Sequence, residues 1–222
     1  MTSLQLLWDR WRRKSSGRID RVIVLVLDGF DMVLAQQFSD DGLLHYLPLL
    51  VDLGARLPLH DRNGNDFEAM AGSLRAAGVK TAILAAADST DDLDSICAAD
   101  REQQDRLFAL LDRRRAGVVI AVFDMLARIR QGTGQRRIDE DPLVLRDVHA
   151  RMDEHVGKAL SFVDEESALV VVIPSHSLPS TAGGATSHTE IFVSRALPAS
   201  ETRISDLPEL ILQLLKTPTE PS

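Results

Sequence analysis

Four ionisable residues of this chain each stand beside a strand-like apolar run. Asp28 follows "VIVLVL", Asp124 follows "GVVIAVF", His176 follows "ALVVVIPS", and His188 precedes "IFV" by two residues. Parallel strands bring their C-terminal ends to one edge of a sheet, where open α/β proteins collect their chemistry, so the first three should converge there. Two carboxylates and two imidazoles make an oxygen and nitrogen ligand set suited to zinc, or to manganese or iron with water added. Taken singly, each has a plainer reading. An aspartate after a strand equally well caps the next helix, and His176 in "PSHSLP" suits a solvated loop. The four together weigh more than their sum.

The elements that must position them follow from the apolar pattern. Strand-like runs recur at Val22 to Leu27, Val79 to Leu84, Gly117 to Phe123, Ala168 to Ile173 and Ile191 to Val193. Helical patterns lie between them, near Leu43 to Leu53, Asp66 to Ala77, Arg101 to Arg113, Pro142 to Val163 and Leu207 to Leu215. This alternation predicts an open, mainly parallel α/β sheet with helices on both faces. In "NDFEAMAGSLRAAG" the stripe Phe67, Met70, Ala71, Leu74 and Ala77 has helical spacing, Gly78 ends it, and Ser73 falls off the buried face. The polar stretches 130 to 142 and 179 to 187 read as loops that could border a site.

The totals narrow the function classes. At 222 residues with 45% hydrophobic content, one compact domain is the economical reading. A formal charge of −8 offers no basic face for nucleic acid. The single cysteine, Cys97, excludes an internal disulfide and fits a reducing, cytoplasmic compartment. No apolar run approaches the roughly 18 residues that span a bilayer. The N-terminal segment, residues 1–19, places Leu4, Leu7, Trp8 and Trp11 beside Arg10, Arg12, Arg13 and Lys14, with its apolar patch before its charges, the reverse of a secretory signal. It reads as a helix docked on its own domain, the alternative being a basic amphipathic helix resting on a membrane or a partner. The domain proper is then 20–217, with 218–222 as a tail.

In the order of its segments the chain resembles the alkaline phosphatase superfamily, in particular its type I phosphodiesterase and nucleotide pyrophosphatase branch. "VIVLVLDGFD" looks like that family's opening strand and metal-binding aspartate, and "GLLHYLPLLVDLGARLPL" is similar to the segment that follows. "SLRAAGVKTAIL", "GVVIAVFDMLARIRQ", "MDEHVGKALSFVDEESALVVVIPSHSLP", "GGATSHTEIFVS" and "ISDLPELILQLL" resemble later segments in the same order, over about residues 20 to 217.

The resemblance implies a two-metal site in which Asp28 and His176 belong to one ion, Asp124 and His188 to the other. It also exposes departures. Ser175 stands where the family has a third aspartate, and Arg128 where it has a histidine. The nucleophile segment is missing, since "ARLPLHDRNGN" contains no Ser or Thr, and the cap insertions that help select substrate have no room. The expectation is therefore a pseudoenzyme without a catalytic residue or cofactor, binding an unknown protein or a small phosphorylated ligand. The alternative is a phosphate mono- or diester hydrolase in which zinc or manganese supplies the attacking water. One further expectation comes from spacing alone. Arg128 lies one helical turn after Asp124 and should pair with it or with Asp28.

Overall fold

The computed structural model describes residues 19–53, 55–59, 67–85, 92–131, 141–174, 189–194 and 207–216, with 53, 55–59, 131 and 216 described by their backbone only. In chain order the elements are β1 (Arg21–Leu27), α1 (Met32–Asp40), α2 (Tyr46–Leu53), β2 (Ala55–Leu59), α3 (Phe67–Ala76), β3 (Thr81–Ala85), α4 (Leu93–Arg113), β4 (Val118–Phe123), α5 (Met125–Gln131), α6 (Pro142–Leu160), β5 (Ser167–Pro174), β6 (Thr189–Val193) and α7 (Leu207–Lys216). The strands form one six-stranded sheet in the order β2-β6-β5-β1-β4-β3. β1 pairs in parallel with β4 and β5, and β4 with β3, while β6 runs antiparallel to both of its neighbours. The predicted mainly parallel α/β sheet is what forms.

Every residue of β1 and β5 is buried, as strands covered on both faces require. Alternate side chains of β1 serve two separate cores. Ile23, Leu25 and Leu27 pack with Leu47 and Leu50 of α2, Leu107 and Leu111 of α4, and Met152 and Val156 of α6. Val22, Val24 and Val26 pack with Met70, Ala71 and Leu74 of α3 and with Leu210, Ile211 and Leu214 of α7. The period of two along β1 thus sorts its side chains between two helix layers. In α3, Ser73 is exposed and donates to the Ala69 carbonyl at 3.1 Å, in keeping with its place off the apolar stripe.

Several elements depart from the pattern-based expectation, among them α1 and α5, which no expected helix covers. β2 was hidden because "ARLPL" is short and carries Arg56 and Pro58; its strand state depends on pairing with β6. α4 begins at Leu93, eight residues before the expected Arg101, with Asp92 as N-cap accepting from the Ser95 N–H at 2.9 Å. α2 begins at Tyr46 rather than Leu43, because its cap comes from another helix. The buried Asp153 carboxylate of α6 accepts main-chain N–H groups of His45 at 2.7 Å, Tyr46 at 3.1 Å and Leu47 at 2.6 Å. The Tyr46 ring then lies against Gly157, where a Cβ would collide with it. α2 and α6 are joined by a carboxylate and by the absence of a side chain.

Candidate functional site

The C-terminal ends of β1 and β4 finish in register, with Leu27 beside Phe123. The next residue in each chain segment is an aspartate. The Asp28 N–H donates to the Phe123 carbonyl at 2.8 Å, which extends the ladder one step and sets Asp28 and Asp124 side by side at this edge. β5 reaches the same edge, where Pro174 pairs with Thr189 of β6. Ser175, His176 and His188, the other sequence-derived site residues, lie outside the described residues.

The connection after Asp28 is pressed onto the first turn of α5. Gly29 has φ +76°, and a Cβ there would stand 2.5 Å from the Ala127 nitrogen and 2.8 Å from its Cα. Only glycine accepts both the left-handed backbone and that approach. The contact keeps the Asp28 turn tight against the helix that carries Arg128.

Arg128 pairs with Asp124, its Nε 2.8 Å from Oδ2, and both side chains are about three-quarters covered. The Asp124 carbonyl also accepts the Arg128 N–H at 2.9 Å, so the aspartate heads α5 and the arginine closes its first turn. An acidic residue four positions before a basic one is the better of the two orientations along a helix. The pair is local, and its contribution is modest. Arg128→Ala should lower stability by about 0.5–1 kcal/mol in urea unfolding; a loss well above this would show that the arginine also braces another part of the edge.

Behind the edge lies a buried polar layer. His155 of α6 stacks on Phe123, ring centroids 4.4 Å apart. A carboxylate only accepts, so the His155 Nε2 donates to Asp100 of α4 at 3.0 Å, while Gln104 donates to Nδ1 at 2.6 Å. Gln103 spans to the sheet, donating to the Val122 carbonyl at 2.5 Å. These groups hold the residues immediately before Asp124.

A second ion pair flanks the first. Asp31 is the N-cap of α1, its Oδ1 accepting from the Val33 N–H at 2.9 Å and the Leu34 N–H at 3.2 Å, while its Oδ2 lies 3.4 Å from Arg130 Nη2 of α5. The buried His149 of α6 stands against the Asp31 main chain. Reading the sequence missed Asp31, Arg130 and His149. The signal for Asp31 was present, since "DGFD" precedes the apolar "MVLA" as a cap should. Nothing local marks His149, a polar residue set among the apolar positions of α6.

Asp124 is not a free ligand for a divalent ion. Its carboxylate already accepts from a guanidinium, whose charge would stand beside that of the metal. Among the described residues, no three His, Cys, Asp or Glu side chains cluster as a metal site. Likewise, no described helix is long and apolar enough to cross a membrane.

No family model and no curated protein matches this chain. Two crystal structures of phosphonoacetate hydrolase from Sinorhizobium meliloti 1021, in complex with phosphonoacetate and with phosphonoformate, are similar to it in fold. Each is 14% identical over 74% of this chain, with TM-scores of 0.45 and 0.44. The match spans 59% of the hydrolase chain.

Proposed function

We propose that this domain is an alkaline-phosphatase-like pseudoenzyme, which acts by binding a protein partner or a small phosphorylated ligand rather than by turnover. The observation that carries the reading is the guanidinium of Arg128, 2.8 Å from the Asp124 carboxylate at the edge where the family resemblance expects a metal. Arg128 supplies by ion pairing the positive charge that a cation would otherwise bring to the aspartate. Ser175 in place of a third aspartate, and a segment after Gly54 without a hydroxyl nucleophile, point the same way.

Generic phosphate mono- and diesters, offered to the purified protein with added zinc or manganese, should be hydrolysed no faster than in a buffer control. Metal-dependent turnover that disappears in Asp28→Ala and His176→Ala would overturn the reading in favour of a metal-dependent phosphate ester hydrolase. The converse experiment repairs the site. Ser175→Asp combined with Arg128→His should tighten zinc binding by about tenfold or more in calorimetry, with hydrolysis still at the control level because the nucleophile segment is absent.

A further inference from the structure

Three side chains from three elements meet beside the candidate site without belonging to it. His149 of α6 is fully buried between Phe30 and Phe38, with ring centroids at 4.7 and 5.3 Å. Its Nδ1 lies 2.7 Å from the Leu145 carbonyl, which can only accept, so that nitrogen carries the hydrogen. Its Nε2 accepts the Asp31 main-chain N–H at 3.4 Å. A ring with one proton satisfies both contacts. A second proton on Nε2 would set N–H against N–H.

Asp31 ties this ring to the edge. Its Oδ1 caps α1 through Val33 and Leu34, and its Oδ2 pairs with Arg130 of α5. The clamp therefore joins α6 to the two segments that directly follow Asp28 and Asp124. We propose that His149 is an acid-operated latch. Taking up a second proton, it expels the Asp31 N–H and draws the Asp31 carboxylate from the α1 amides toward the imidazolium, so that the connection after Asp28 loosens.

The charges facing the ring can be named. Asp31 faces it from the head of α1 and Arg130 from α5, and the rings of Phe30 and Phe38 pack against it. One turn along its own helix, Asp153 is occupied by the α2 amides. Burial holds the His149 imidazole below its ordinary value of 6.5; the Leu145 carbonyl works against this, Arg130 lowers it further and Asp31 raises it. The unfolded chain thus binds the second proton more readily than the folded one. Stability from this group is complete above the unfolded value and is lost as pH falls below it.

The test is amide hydrogen exchange followed by NMR, with intrinsic rates corrected for pH. From about pH 7.5 to about pH 5.5, exchange at Val33 and Leu34 should accelerate about tenfold or more in the wild type, while Val24 and Val170 in the sheet stay unchanged. In His149→Gln, whose amide can donate to Leu145 and accept from Asp31 without titrating, the acceleration should vanish. Equal acceleration in both proteins, or none in the wild type, overturns the latch. Titration of the imidazole in the wild type decides independently of any variant. A ring that protonates at its ordinary value, with no accompanying shift of the Asp31 amide, also overturns it.

Discussion

Gly29→Ala should destabilise the protein by about 3 kcal/mol, from about 1–2 for a left-handed residue bearing a Cβ and about 1–3 for forcing two packed segments apart. The new methyl would meet the backbone of Leu126 and Ala127, with no flexible side-chain end to swing away. α5 must shift, and with it Arg128 and the head of the helix at Asp124. Gly42→Ala supplies the control. Gly42 also has a positive φ, +74°, but nothing lies within 4 Å of its would-be Cβ, so its cost should stop at about 1 kcal/mol. Thermal unfolding of the two variants separates the terms, at roughly 2–4 °C per kcal/mol for a chain of this size. Equal losses would mean that the approach of the Asp28 turn to α5 is not as close as described.

Asp153→Ala should cost about 3–4 kcal/mol, mainly at Leu47, where one charge-assisted hydrogen bond of about 1.5–3 kcal/mol is lost and a buried donor is stranded at about 1–3. The carboxylate serves the N–H groups of His45, Tyr46 and Leu47 at once. The Leu47 side is buried, so water does not readily replace the lost acceptor there. Asp153→Asn keeps one acceptor but turns an amide donor toward the others, and should lose about 2 kcal/mol. Exchange of the Leu47 amide gives the local readout. Fast exchange at Leu47 with slow exchange at Val24 would show α2 lifting while the sheet holds. A variant as stable as the parent would mean that the helix head finds another cap.

Much of the fold was legible because the central strands are covered on both faces. Unbroken runs such as Val22 to Leu27 and Ala168 to Ile173 suit buried parallel strands, and the amphipathic stripe of α3 was plain for the same reason of periodicity. The early part of α4 was not legible. Asp100 and Gln103 are polar, yet both are buried, held by His155 and by the Val122 carbonyl. β2 escaped because its partner, β6, lies far away in the chain. Pairing of that kind leaves no local periodic mark.

At the candidate site the division is sharper. The sequence by itself determined that Asp28 and Asp124 each close a buried run, and that Arg128 stands one turn beyond Asp124. Those are local relations, set by the 3.6-residue period of a helix and by the length of an apolar run. Only the tertiary structure decided that β1 and β4 are neighbours in register, that Gly29 lies on α5, and that His149 and Asp153 reach across from α6 to the heads of α1 and α2. Nothing in a linear pattern sets these, because each depends on which elements share a face once the two cores have closed. A carboxylate or imidazole on α6 looks the same in sequence whether it meets water or another helix's unpaired N–H groups. The N–H groups at the head of a helix must find an acceptor, and here packing of α6 against α1 and α2 chose Asp153 for one of them and brought His149 to the other.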